Sequence, residues 1–277
     1  MFENILGHEN QKSIIENSIK ANTISHAYLF SGPSGIGKYT FAKEFAKILL
    51  NANNLENCLD YIEISKKDDK KNILVEQIRE EVIEDMYIAP SSGNRKVYVI
   101  NDAEYLNDSS QNSLLKTLEE PPEYVCIILI SSNNSSILPT VLSRVNKIEF
   151  AKLDEIEISR YFKNEKDIKL DKNIIEFADG SIGLASELVK ENLINDISKL
   201  NELYDLVIKK DVIMCFKKCE EIDFNKLYIL DYFEFMLYKN NKFFCVEIIE
   251  KTKERLKYNG NYDIVIDNMV LKCIDNI

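Results

Sequence analysis

The sequence predicts an α/β protein: a parallel sheet covered by helices over residues 1–152, then helices alone to the end. Three observations carry that expectation. Short apolar runs alternate with segments of helical periodicity up to Phe150, as strands do with crossover helices. A glycine loop stands between the first such run and the helix after it. Beyond residue 152 the strand signals fade and only helical spacing remains.

The glycine loop organises the chain. Ala27-Tyr28-Leu29-Phe30-Ser31 reads as a buried strand, and Gly32-Pro33-Ser34-Gly35-Ile36-Gly37-Lys38-Tyr39 follows it. The spacing matches G-x-x-x-x-G-K-[ST] at every fixed position but the last. Backbone amides of such a loop, with the N-terminus of the next helix, form an anion site, and a lysine at position 38 reaches the terminal phosphates. The last position should carry a Ser or Thr oxygen for magnesium, and Tyr39 stands there. Its hydroxyl lies a ring further out. Thr40 is turned ~100° around the helix and points elsewhere. The loop is therefore a degenerate phosphate loop, able to hold ADP or ATP weakly and short of a metal ligand. The bland alternative is a glycine turn that merely precedes a helix.

The other elements follow in order. Ile14, Ile15 and Ile19 give 9–21 a helical face, and Phe41, Ala42, Phe45, Ala46, Leu49 and Leu50 do the same for 38–51. Residues 51–57 form a polar loop. Tyr61, Ile62 and Ile64 read as the second strand, 65–72 as a charged loop, and Ile73, Val75, Ile78, Val82 and Met86 as a helix closed by Pro90. Lys96–Asn101 is the third strand, nearly all apolar as when both sheet faces are covered. Asp108 or Ser109 caps a helix over 110–119 that Pro121-Pro122 stops. Val125–Ile130 is the fourth strand, Pro139–Leu142 a short helix and Lys147–Phe150 the fifth strand. Three short helices span 153–195, and 196–277 is helical and rich in Phe and Tyr. That last region reads either as an ordinary helical core or as a packing surface for partner chains.

Composition narrows the function. The 277 residues are 45% hydrophobic and carry a net charge of −11. A chain this acidic is a poor partner for nucleic acid through phosphate contacts alone, so any work on DNA is expected within an assembly. No run reaches the ~18 apolar residues of a membrane span, and the N-terminus lacks the character of a signal peptide, so a cytoplasmic protein is expected. The six cysteines form no C-x-x-C pair and read as reduced core thiols. Cys215 and Cys219 lie at i, i+4, where packing is the simpler reading than metal ligation in a chain with two histidines.

Further signals stand at the strand ends. After Val97–Ile100 come Asn101 and Asp102, where an ATPase on such a sheet needs an aspartate for magnesium and often a glutamate for water. Asn101 is a poor metal partner and Asp102 is short, or simply a cap for the next segment. Ser132, Asn133 and Asn134, after the fourth strand, either reach a γ-phosphate or form a turn. Arg144 lies beyond the short helix, and on composition alone it is a solvated surface arginine.

The chain resembles the delta-prime subunits of bacterial DNA polymerase III clamp loaders, a branch of the AAA+ family. The resemblance rests on Ile5-Leu6-Gly7-His8-Glu9, Ser25-His26-Ala27-Tyr28-Leu29-Phe30, the glycine loop and Val75-Glu76-Gln77-Ile78-Arg79. Its most specific stretches are Gln111-Asn112-Ser113-Leu114-Leu115-Lys116-Thr117-Leu118-Glu119-Glu120-Pro121-Pro122 and Leu138-Pro139-Thr140-Val141-Leu142-Ser143-Arg144. It implies a five-stranded AAA+ core over 1–152, a three-helix lid over 153–195 and an all-α collar over 196–277. It also implies a five-subunit ring with other clamp-loader subunits, acting on the sliding clamp and primed DNA within the polymerase holoenzyme. In that ring Arg144 would face a neighbour's ATP.

Departures from the family pattern refine the expectation. Many relatives carry four zinc-binding cysteines after the helix that follows the glycine loop, whereas 51–60 holds only Cys58, so neither zinc nor another metal is expected. Hydrolysing relatives place a lid arginine after a Gly-Ser-x triplet; here Gly180-Ser181-Ile182 precedes Gly183. With Tyr39, Asn101 and Gly183 replacing three groups that hydrolysis uses, the sequence predicts a non-hydrolysing clamp-loader subunit that requires no cofactor. The rival reading is an active AAA+ ATPase working alone or as a homo-oligomer. A helical adaptor unrelated to replication is disfavoured by the 111–122 stretch.

Overall fold

The computed structural model describes residues 1–67, 70–191, 193–226, 228–257 and 261–277. Residues 68 and 69 of the charged loop and 258–260 of the helical tail lie outside the described residues. The chain divides into two compact units, Met1–Gly183 and Leu184–Ile277.

The first unit is built on five parallel strands: β1 Ala27–Ser31, β2 Tyr61–Ile64, β3 Lys96–Ile100, β4 Val125–Ser131 and β5 Asn146–Glu149, ordered β2-β3-β4-β1-β5. Every residue of β1, β3 and β4 is buried. Alternate side chains enter opposite cores, which is why these strands read as unbroken apolar runs. Tyr28 and Phe30 join one core with Phe41, Phe45 and Phe150, while Ala27 and Leu29 join the other with Ile78, Val82, Leu114 and Leu118. Helices α1 (Glu9–Lys20) and α2 (Lys38–Leu50) contribute to the first core, and α4 (Asp108–Glu119) to the second.

Aromatic contacts fix α2 to the sheet. The Phe41 ring lies 5.1 Å from Phe150 and 4.6 Å from Phe2, and Phe45 stands edge-on to Tyr28 at 5.4 Å. Burying each such ring contributes about 1.5–3 kcal/mol, so the glycine loop enters a firmly seated helix.

Two local expectations are corrected. The helix expected from Ile73 to Met86 is α-helical only over Val75–Ile78 (α3), then widens into a π-helical stretch over Arg79–Glu84. The wider turn leads to Asp85, which faces Lys96 Nζ and the Tyr98 hydroxyl at 2.7 Å each. The cap of α4 is Asn107, whose Oδ1 accepts the Ser110 amide at 2.9 Å, rather than Asp108 or Ser109, which already lie inside the helix.

After β5 come α6 (Glu155–Lys166) and α7 (Lys172–Ala178), with α8 (Ile182–Lys190) beginning at the end of the first unit. The second unit holds α9 (Ile194–Lys209), α10 (Val212–Glu220), α11 (Ile229–Lys239), α12 (Phe243–Lys257) and α13 (Tyr262–Asp275). Leu200, Leu203, Val207, Phe233, Leu237, Ile249 and Val270 form its interior, while Ile213, Tyr238, Phe244 and Ile264 are exposed. All six cysteines are free thiols. Burial pushes Cys215 up to about 11 and Cys219 up to about 12, as expected of packed thiols. Among the described residues no helix is long and apolar enough to cross a membrane.

Candidate functional site: a self-satisfied phosphate loop

The loop lies at the carboxyl end of β1, between β4 and β5. Gly32 leaves the strand at φ 148°, and a Cβ there would sit 2.2 Å from the Phe150 carbonyl. The turn therefore depends on glycine. His8 Nε2 donates to the Ile36 carbonyl at 2.8 Å and ties the loop to the N-terminal segment. Burial lowers the His8 pKa, which keeps the ring neutral in this role.

The groups that a nucleotide would need already have partners. The buried Lys38 ammonium donates to Gly32 O at 2.7 Å and Pro33 O at 2.6 Å. Burial pulls its pKa down, against the opposing effect of Glu104 and Asp102. Tyr39 turns toward the sheet edge, where its hydroxyl donates to both oxygens of Glu63 at 2.7 Å. Tyr61 donates to the same carboxylate at 2.9 Å. Burial and the Glu63 hydrogen bond raise the Tyr39 pKa, so the phenol stays protonated. Asn101 donates to Asp102 Oδ2 at 3.1 Å. Asp102 adopts a left-handed conformation without capping the next turn through its side chain.

At the end of β4 the serine and the two asparagines separate in role. Ser132 donates its amide to Glu104 Oε1 at 3.2 Å and its hydroxyl to the same oxygen. Asn133 is a turn former, its Oδ1 accepting from the Ser135 amide at 3.1 Å and hydroxyl at 2.6 Å. The Oδ1 atom of Asn134 is buried without a hydrogen-bond partner.

The segment 180–183 closes on the loop. Gly183 donates its amide to Gly35 O at 2.7 Å. A Cβ on Gly183 would lie 3.0 Å from Gly35 Cα, and one on Gly35 would lie 2.1 Å from Ser181 Oγ. Ser34 and Gly37 complete the loop, in which Lys38 spends two of its three N–H donors on loop carbonyls. These residues do not fit a magnesium–triphosphate: the tyrosine oxygen and the strand-end amide have protein partners and supply no metal ligand.

Arg144 lies apart from the loop's hydrogen bonds, just before the edge strand β5. Its Nε donates to Glu119 Oε1 at 2.8 Å, its NH2 donates to the same oxygen, and its NH1 donates to Thr140 O at 2.8 Å and Ser143 Oγ at 3.0 Å. A third of the side chain is exposed. Gln111 explains how the preceding turn is held. It is buried, donates to Leu106 O at 3.0 Å and Ser136 O at 2.9 Å, and accepts the Leu138 amide at 2.7 Å. That last bond sets the start of α5 (Pro139–Leu142), which carries Arg144.

Sequence reasoning missed Glu63, Glu104 and Glu119 as partners of Tyr39, Ser132 and Arg144. The only local signal was Glu104 itself, three residues past the strand-end Asn101. Cys58 is partly exposed, and among the described residues no three His, Cys, Asp or Glu side chains gather into a metal set.

A five-stranded parallel sheet with a glycine loop after β1 and a helical segment closing over it defines the AAA+ class of nucleotide-binding cores. The chain belongs to the family described as DNA polymerase III, delta subunit, whose model matches residues 7–154. It is 32% identical over 250 residues to the DNA polymerase III subunit gamma of Buchnera aphidicola subsp. Acyrthosiphon pisum, covering 76% of this chain and 68% of that protein. It is 35% identical over 173 residues to the subunit tau/gamma of Haemophilus influenzae, covering 58% of this chain and 25% of that one. The chain thus spans about two thirds of one relative and a quarter of the other. The crystal structure of a gamma subunit-related protein from Thermotoga maritima shares the fold, with TM-score 0.57 and 19% identity over 97% of this chain and 98% of that chain. The expectations of a DNA polymerase III clamp-loader relative and of an AAA+ fold are thereby borne out.

Proposed function

We propose that this chain is a non-hydrolysing, delta-prime-type subunit of a clamp loader, acting structurally in DNA replication. The observation that carries the reading is Tyr39, whose hydroxyl is engaged by Glu63 at the sheet edge. A catalytic phosphate loop presents a Ser or Thr oxygen to magnesium at that position. Asn101 and Gly183 add to the same conclusion and weigh against an independent ATPase. On this reading no cofactor is required, ADP or ATP binds weakly, and zinc is absent.

Residues 1–152 serve as the core, 153–195 as the lid and 196–277 as the collar. The exposed Ile213, Tyr238, Phe244 and Ile264 support a tail that packs against other subunits. The partners are other clamp-loader subunits in a five-membered ring, with the sliding clamp and primed DNA engaged through the complex. A cytoplasmic location follows from that role. Arg144, beside an edge strand and held by Glu119, acts in trans on a neighbour's ATP, where a planar guanidinium makes bidentate contacts with phosphate.

The test is twofold. The purified chain with Mg-ATP should release phosphate at background rate, and mixing it with gamma- and delta-type subunits should give a defined hetero-oligomer by sizing. Brisk hydrolysis by the isolated chain sinks the reading.

A further inference from the structure

We propose that Glu104 makes the loop selective for a nucleoside diphosphate: its carboxylate stands against the γ-phosphate of a triphosphate. The inference rests on the reading of the loop as a non-hydrolysing site.

The topology brings the groups together. β4 lies beside β1 with Ser31 opposite Ser131, and the Gly32 amide donates to Ser131 O at 3.2 Å. Ser132 therefore flanks the entry to the glycine loop. On the other side β3 pairs with β4, Ile100 opposite Leu129, and the turn Ala103–Tyr105 carries Glu104 back to Ser132. Ligands of such sheets lie over the carboxyl ends of the strands. A phosphate chain that starts in the loop and runs past Lys38 ends over β1, β4 and β3.

The chemistry there is anionic. Glu104 Oε1 accepts both donors of Ser132, so the donors that would have met a terminal phosphate are engaged. Glu104 Oε2 is buried and has no hydrogen-bond partner. An ionised carboxylate only accepts hydrogen bonds, as phosphate oxygens do, so the two cannot bond and their like charges repel. Lys38 spends two of its three N–H donors on Gly32 and Pro33, which leaves one to meet the added charge. A diphosphate ends within the loop and leaves the Glu104–Ser132 pair intact. The turn thus holds one carboxylate oxygen on Ser132 and buries the other beside the loop.

The test is calorimetric titration of the full chain with Mg-ADP and with Mg-ATP. It is repeated on Glu104→Gln, which keeps the shape and loses the charge, and on Glu104→Ala, which also frees Ser132. Circular dichroism and melting establish that each variant folds, and Glu104→Gln carries the test should Glu104→Ala not fold. The wild type should favour ADP over ATP by about tenfold or more, and either variant should bring that ratio down about tenfold, chiefly by tightening ATP. A wild type that binds neither nucleotide overturns the proposal, since selectivity for a diphosphate requires that the diphosphate bind. Equal wild-type affinities, an unchanged ratio in the variants, or no binding by any of the three proteins overturns it. Phosphate release is measured on the same samples. Turnover by the wild type would count against the non-hydrolysing reading, whereas the ADP-to-ATP ratio bears on Glu104 alone.

Discussion

The amide of Gly183 donates to the carbonyl of Gly35 at 2.7 Å, so the turn that begins at Gly180 is in backbone contact with the glycine loop. The contact needs both glycines. A Cβ on Gly183 would meet the Gly35 Cα at 3.0 Å and its carbonyl oxygen at 3.1 Å. Gly183 is thus a packing residue. Gly183→Ala should destabilise the protein by about 1–3 kcal/mol through overpacking, read as a lowered melting temperature. Gly183→Arg should be destabilised too and should gain no ATP affinity, because the side chain must first force the two backbones apart. A Gly183→Ala protein that melts with the wild type would show that the contact contributes nothing.

Restoring the metal side should restore affinity. Tyr39→Thr releases Glu63 and supplies a hydroxyl at the helix start, and Asn101→Asp supplies a carboxylate at the end of β3. Together they should tighten Mg-ATP binding by about tenfold, and removal of magnesium with EDTA should abolish the gain. Calorimetry with and without the metal checks this. A magnesium-independent gain would mean that the two changes act through the loop's shape.

Arg144→Ala should leave the chain folded and able to join the assembly, since a partly exposed ion pair contributes ~0–1 kcal/mol. Clamp- and DNA-stimulated ATPase of the reconstituted complex should fall, with the loss confined to one neighbouring site. Trans arginines of this kind are worth about 10³–10⁵ in rate in GTPases, a ceiling for the effect here. Arg144→Lys should rescue poorly, because a point charge lacks the planar fork. Glu119→Gln should give an intermediate loss, because Glu119 orients the guanidinium through Nε and NH2. Unchanged ATPase and clamp loading in Arg144→Ala would return the arginine to the ordinary surface.

Asp60 gives the fold a dependence on acid. It is buried, which by itself raises its pKa. The amides of Ser91 and Ser92, at 2.6 and 2.9 Å, the Ser92 hydroxyl and Lys96 more than offset that, so the folded value lies below the usual one. A depressed carboxylate pKa contributes stability that is complete above the unfolded value, about 3.9, and is lost as pH falls through the folded value. Stability should therefore decline below about pH 4. Asp60→Asn should cost about 1–3 kcal/mol at pH 7 and should flatten that decline. Denaturant melts from neutral to acid pH measure both, and parallel curves for the two proteins would remove Asp60 from the account.

Zinc should be absent. Cys58 is the one cysteine of the 51–60 segment, and a tetrahedral site takes four ligands. Elemental analysis should find no stoichiometric metal, and chelation should leave the melting curve unmoved. About one zinc per chain would overturn the expectation.

Much of the fold is legible in the sequence. β1, β3 and β4 are buried on both faces, so their apolar runs stood out from the helical periodicity around them. The glycine loop was legible because its backbone imposes residue types at fixed spacing. The ends were less so: Asn107 took the cap expected of Asp108 or Ser109, since all three have the right chemistry and only the path of the chain chooses between them. The π-helical stretch at Arg79–Glu84 was hidden for a similar reason. Its apolar spacing fits an α-helix, and the wider turn appears where the chain must deliver Asp85 to Lys96 and Tyr98.

By itself the sequence determined the strands and the glycine loop with its departures from the G-x-x-x-x-G-K-[ST] spacing, because each is a property of neighbouring positions. The tertiary structure alone decided what became of the groups that remained. Tyr39 meets Glu63, Ser132 meets Glu104 and Arg144 meets Glu119 across separations of 24, 28 and 25 residues. Many carboxylates in an acidic chain could have served, and their spacing in sequence distinguishes none of them. The strand order β2-β3-β4-β1-β5 brings each pair within hydrogen-bonding reach, a meeting of distant residues that only the folded chain arranges.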